Sequence, residues 1–192
     1  MIRSLKFLQL NLHRSAVIHD AVHNDTDLED CTAILGQEPN CFIQDGEVII
    51  PGGGAQWTCF SPPQGDGKYP VGSCCWVRKE AIAVQAHVDD ENIAAALITP
   101  AGGQKQILVF SVYVPPVRMV AEGETQLVNT LRKIEETYMQ ERAHNPNLEL
   151  FVGGDFNRHH ALWGSLDGGH QGSATEGNQS LNSWQGLVFR AC

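Results

Sequence analysis

The chain has 192 residues, 42% of them hydrophobic and 18% charged. These are the proportions of a soluble globular protein, and the length suits one domain burying roughly 70% of the surface its unfolded form exposes. The formal net charge of −9 excludes a protein that coats nucleic acid by bulk attraction, because such binding rests on Lys and Arg at phosphates; local contact through carboxylates screened by a cation stays open. No apolar stretch approaches the ~20 residues of a membrane helix, so no membrane partner is expected. The opening MIRSLKFLQLNLHRS turns polar too soon for a secretory signal. Cys31, Cys41, Cys59, Cys74, Cys75 and Cys192 match no zinc spacing, and without a secretion signal they read as reduced, mostly buried thiols of an intracellular protein, nuclear or cytoplasmic.

In chain order, LKFLQLNL (5–12) alternates and predicts a strand. SAVIHDAVHND (15–25) predicts a helix capped by Ser15, with Val17, Ile18, Ala21 and Val22 as its apolar face. CTAILGQEP (31–39) predicts a buried strand closed by Pro39, followed by a glycine turn at 49–57 and a loop at 61–70. Three strands at 71–79, 82–88 and 93–99 with short polar links predict a meander. KQILVFSVYVPP (105–116) is the strongest strand signal. Residues 120–143 then carry helical spacing at Val120, Leu127, Leu131, Ile134 and Tyr138. LELFVGGDFN predicts a further strand, and 173–187 a last helix capped by Ser173 or Thr175. Strands mixed with outer helices predict an α/β sandwich, two sheets face to face with helices covering them, with polar loops along one rim.

Four strand ends carry chemistry. The first ends in Asn11 and His13, the second in Glu38, the long strand in Tyr113, and the late strand in Asp155 and Asn157. Converging, these oxygen ligands suit Mg²⁺, with Mn²⁺ as substitute, which keeps several waters and takes one or two carboxylates plus substrate phosphate. Such an ion polarises a phosphoryl oxygen, and a free carboxylate can orient and deprotonate water for in-line attack. The set points to phosphoester hydrolysis; the chain holds no GxSxG elbow or P-loop for the other chemistries. Each residue also has a structural reading. Asp155 and Asn157 can be turn formers after two glycines, Glu38 can be an ion pair with Lys or Arg, Asn11 can cap the following helix, and Tyr113 can be core. His159 and His160 lack Cys or Glu at zinc spacing, and Trp163 reads as a packing anchor for its loop.

LQLNLHRS, AILGQEPN, ILVFSVYVPP and FVGGDFNRHHALWGS together resemble the endonuclease/exonuclease/phosphatase superfamily, whose members are deoxyribonuclease I-like. More narrowly they resemble the endonuclease domain of non-LTR retrotransposons, which precedes a reverse transcriptase. The resemblance spans residues 8–165 and implies a four-layered α/β sandwich and nicking of target DNA. It implies that Glu38 ligates Mg²⁺ with Asn11 and Asp155 beside it. It implies that Tyr113 contacts the scissile phosphate, that Asp155 activates water with Asn157 helping to hold it, and that His160 supports the site. His13 stands where related repair nucleases often carry Asp.

The resembled domains continue further, into an Asp-bearing strand and a Ser-Asp-His motif whose His steadies the transition state. These 192 residues contain no Ser-Asp-His. The expectation is therefore one domain over 1–192, incomplete at its C-terminal end, with bare sheet edges that pair with a second copy and with weak or no nuclease activity. The rival reading is a catalytically dead retroelement remnant that only folds, self-associates or binds. A branch acting on phospholipid or inositol phosphates is disfavoured by HHALWG.

Overall fold

The computed structural model describes residues 5–52, 54–65, 69–100, 105–116, 120–157 and 189–191. Eleven strands and two α-helices follow one another among them: β1 (Phe7–Asn11), α1 (Ala16–Asn24), β2 (Ala33–Gln37), β3 (Phe42–Gln44), β4 (Glu47–Ile49), β5 (Trp57–Phe60), β6 (Ser73–Arg78), β7 (Ile82–Gln85), β8 (Ile93–Thr99), β9 (Ile107–Tyr113), α2 (Val120–His144), β10 (Glu149–Asp155) and β11 (Phe189–Ala191). One sheet has the order β1-β2-β6-β5, the other β11-β10-β9-β8-β7, and β3-β4 forms a separate hairpin. Two pairings are parallel, β1 with β2 and β9 with β10, and a helix bridges each: α1 and α2. Such crossovers leave the C-terminal ends of paired strands side by side.

Alternation along the strands makes three apolar layers. Between the sheets, Ala33, Leu35, Cys75 and Val77 meet Ala94, Ala96, Ile98, Ile107 and Val109. On the far side of the second sheet, Leu108, Phe110, Val112 and Val152 pack against Ile134, Leu127 and Tyr138 of α2. On the far side of the first, Leu12, Ile34, Trp57, Cys74 and Trp76 pack against Val22 of α1. The result is the helix–sheet–sheet–helix sandwich expected from the sequence.

Several expectations need correction. The buried side of α1 is not Val17 and Ile18, which are exposed, but His19, 1% exposed. His19 and His23, one turn apart, set their rings edge-on to Trp76, with centroids at 5.1 and 4.7 Å. In α2, Leu131 faces solvent. The β3-β4 hairpin and β5 were absent from the sequence expectation. Sheet edges were expected to be bare and to pair with a second copy; the β10 edge is instead paired antiparallel with β11 through Leu150–Ala191, Phe151–Arg190 and Val152–Phe189, while β1, β5, β7 and β11 stand at the edges of their sheets. A short return strand satisfies that edge within the chain. The helix expected at 173–187 lies outside the described residues. The five described cysteines are free thiols.

Candidate active site

The layer between the sheets changes character toward the strand tips. In register, Asn11 lies beside Gln37 and Tyr113 beside Asp155. Each strand turns every second side chain inward, so the positions that carry Leu35 and Val109 are followed, two residues on, by Gln37 and Ser111. Gln37 is fully buried and donates from Nε2 to Ser111 Oγ at 3.0 Å, while its Oε1 accepts from Gln9 Nε2 at 2.5 Å. Above this polar band the acids converge.

Asn11 is the pivot. Its Nδ2 donates to Glu38 Oε1 at 3.0 Å and to Asp155 Oδ2 at 2.9 Å. Its Oδ1 accepts from the His13 backbone N–H at 2.8 Å, which fixes the amide orientation: the nitrogen end faces the carboxylates. Glu38 and Asp155 thus share one donor, although they come from different sheets. Arg14 Nη1 pairs with the second Glu38 oxygen, Oε2. The Asn157 backbone N–H donates to Asp155 Oδ1 at 3.0 Å, and its Nδ2 donates to Val114 O at 2.9 Å. That last bond ties the chain after β10 to the end of β9.

The backbone is unusual at this place. Among the described residues, five non-glycine residues have positive φ, and four of them are here: His13 (49°), Arg14 (54°), Glu38 (47°) and Asn157 (47°). The fifth, Asp45, is in the β3-β4 turn. Left-handed backbone at such residues costs about 1–3 kcal/mol each and persists where surroundings impose it, often at functional sites. The surroundings here are visible: Arg14 N–H donates to Glu38 O and Glu38 N–H to Gly72 O, both at 2.8 Å.

Tyr113 is 7% exposed. Burial pushes its phenol pKa above the ordinary value, the charge of Glu38 adds to the rise, and a hydrogen bond with Arg14 opposes it. The phenol therefore stays protonated as a donor. Beside it opens a cavity of about 270 Å³ lined by Arg14, Tyr69, Gly72, Asn92, Tyr113 and Pro115. The Arg14 guanidinium lies 3.9 Å over the Tyr69 ring. A Cβ at Gly72 would stand 2.1 Å from Asn92 Oδ1 and 2.8 Å from Tyr113 Cδ1, so only glycine lets this wall close against the tyrosine.

The structure thus brings Asn11, Glu38, Tyr113, Asp155 and Asn157 to one tip, and it leaves His13 at the margin, exposed. His159, His160 and Trp163 lie outside the described residues. Two structural readings hold together with the convergence: Glu38 does form an ion pair, and Asp155 does accept from the turn that follows it. The capping reading of Asn11 fails, since Ser15 Oγ caps α1 by accepting from Ile18 N–H at 3.3 Å. Among the described residues no three His, Cys, Asp or Glu gather closely enough to hold an ion. The donor set is instead two carboxylates with an amide between them, net negative after Arg14 is counted. Carboxylate oxygens are the donors that a hard divalent cation takes while it keeps most of its waters, whereas Asn11 turns its N–H end, not its oxygen, toward them. Sequence reasoning missed Arg14, Gln37, Ser111 and Asn92. For Gln37 and Ser111 the signal was available: each is a polar residue on the inward phase of an otherwise apolar strand.

A family model described as "Endonuclease-reverse transcriptase" matches residues 107–184. No curated protein matches the chain in sequence. Among solved structures, the endonuclease domain of TRAS1, a telomere-specific non-LTR retrotransposon, superposes with a TM-score of 0.58 at 20% identity, over 84% of this chain and 63% of that domain. TDP2 from C. elegans gives 0.52 at 13% identity, over 81% of this chain and 50% of its own. D. rerio TDP2 complexed with a single-strand DNA product gives 0.50 at 15%, over 82% and 62%. The chain therefore spans less than two thirds of these relatives' lengths. At these identities the likeness is one of fold: the chain folds like the endonuclease domain of a non-LTR retrotransposon.

Proposed function

We propose that this chain is a divalent-cation-dependent DNA endonuclease, hydrolysing a phosphodiester bond at the strand tips, as the nicking domain of a non-LTR retroelement would. The observation that carries this reading is the single Asn11 amide bonded to Glu38 and Asp155 at once. It sets two acids from two sheets around one point. Glu38 would hold Mg²⁺, or Mn²⁺ in its place, which when bound polarises a phosphoryl oxygen and steadies the leaving alkoxide. Asp155, held through Oδ1 and Oδ2 by Asn157 and Asn11, orients water and accepts its proton. Tyr113 donates from its phenol to a phosphate oxygen. Asn11 positions both acids and keeps them apart. Asn157 positions Asp155 and, in this reading, the water. His160 follows closely in sequence as a supporting group.

These 192 residues hold no Ser-Asp-His, and a site assayed without one preorganised transition-state donor is slower by about 10²–10³. Slow nicking is expected, visible on supercoiled plasmid over hours. The test is plasmid nicking in Mg²⁺ or Mn²⁺, with chelator and Asp155→Ala in parallel. Nicking that vanishes in both controls supports the enzyme; nicking equal in wild type and Asp155→Ala removes the reading. The second reading, a remnant that binds without turnover, draws on that missing motif and predicts DNA retention without any metal-dependent nicking.

A further inference from the structure

We infer that Arg14 is a tethered counter-ion for Glu38, occupying the metal-binding carboxylate until a divalent cation displaces it. The inference rests on the nuclease reading of the same site and adds a competing group within it. Both Glu38 oxygens are already engaged by the chain, Oε1 by Asn11 and Oε2 by Arg14. The pair is largely shielded, with side-chain exposures of 28% for Arg14 and 16% for Glu38, so solvent screens it weakly. A cation arriving at Glu38 meets a fixed positive charge on its ligand and must share that ligand or push the guanidinium aside.

The guanidinium has somewhere to go. It already lies over the half-exposed Tyr69 ring at 3.9 Å, a favourable seat for a cation, and it lines the adjoining cavity of about 270 Å³. The backbone of Arg14 is pinned, with φ at 54° and its N–H on Glu38 O at 2.8 Å. Only the side chain needs to swing. Released from Glu38, it faces the cavity beside Tyr113, where a phosphate of bound DNA can take both of its N–H edges. Arginine suits both positions, because its planar fork pairs with carboxylate and phosphate alike and stacks on an aromatic face.

The experiment is a Mn²⁺ titration followed by the electron paramagnetic resonance signal of free Mn²⁺, on wild type, Arg14→Gln and Glu38→Gln. Arg14→Gln is expected to bind Mn²⁺ about tenfold more tightly, because a like charge has left the site, while Glu38→Gln loses the site. Equal or weaker Mn²⁺ binding by Arg14→Gln, with Glu38→Gln still abolishing it, overturns the role of Arg14 and leaves the nuclease reading intact. Undiminished Mn²⁺ binding by Glu38→Gln overturns both. A mutation-free measurement stands beside these in case Arg14→Gln folds poorly. Titrating Mg²⁺ into the wild-type chain should move the Arg14 Nε–H resonance, and an unmoved resonance at saturation overturns the exchange.

Discussion

The space between the two sheets has an apolar end and a polar end built on the same strands. At one end Leu35 of β2 faces Val109 of β9; two residues on, Gln37 faces Ser111; at the tips stand Asn11, Glu38 and Asp155. Nothing in backbone pairing distinguishes the ends, because both keep regular register. What differs is how each is held. The apolar end needs only complementary volume, whereas every polar side chain at the other end needs a partner in a particular direction. The apolar end supplies the stability that lets the tip hold left-handed residues and two acids sharing one donor.

The largest expected effect tests that division directly. Leu35 is fully buried in the apolar end, and Leu35→Ala should cost about 2–5 kcal/mol through lost burial plus the cavity left behind. Asp155→Asn, at the tip of the neighbouring sheet, should change stability by under about 1 kcal/mol, since it removes one charge from an acid pair, yet abolish nicking. Urea midpoints of the two variants decide it: an Asp155→Asn protein as unstable as Leu35→Ala would mean that the tip acids hold the fold.

A polar cluster outside this layer sharpens the contrast. His19 and His23 lie beneath α1 against Trp76, and the His19 Nε2–H donates to Pro51 O at 2.8 Å. Burial lowers both imidazole pKa values, and for His23, with His19 adding repulsion, the value falls to about 4. An unfolded imidazole binds its proton near pH 6.5, so between about 6.5 and 4 the unfolded chain holds more protons than the folded one. Stability therefore falls as pH drops through that window, by up to about 3 kcal/mol for His23, and is fully present above it. Replacing His23 with Gln should flatten the slope of urea stability between pH 7 and 5. An unchanged slope would show that these imidazoles are solvated in the folded chain.

Much of this was legible in sequence, and the parts that were not have physical reasons. Alternation marked β1, continuous apolar runs bounded by turn residues marked the long strands β8, β9 and β10, and the polar residue closing each of β1, β2, β9 and β10 marked the tip. Arg14 was not legible, because its role depends on a left-handed backbone that swings it back to Glu38, and one residue's φ leaves no periodic trace. The buried face of α1 was misjudged because hydropathy favours Val17 and Ile18, while ring-on-ring contact with Trp76 favours the histidines. β3 and β4 are three residues each, with Phe42, Ile43 and Ile49 exposed, so burial left no pattern; only the Asp45-Gly46 turn signal was available. β11 is as short and depends on pairing far along the chain.

The smallest effect bears on whether the polar end acts as one unit. Gln37 Nε2 donates to Ser111 Oγ at 3.0 Å and to Leu35 O at 3.3 Å, and Ser111 Oγ donates on to Gly36 O at 3.2 Å. Gln37→Leu removes the donor to a buried hydroxyl and the acceptor for Gln9, which should cost about 1–2 kcal/mol. Ser111→Ala alone takes the better acceptor from the Gln37 Nε2 group, which keeps only Leu35 O at 3.3 Å, and should cost a similar amount. Together they leave neither group unsatisfied, so the double variant should be less destabilised than the sum of the singles, with a coupling of about 0.5–3 kcal/mol in a urea double-mutant cycle. Its nicking should nevertheless stay low, because leucine and alanine fill the layer without fixing the height of the tip above them, where Asn11 must reach both acids within about 3 Å. An additive cycle would instead make the band a set of separate contacts, and the acids above it would then owe their positions to the tip's own backbone alone.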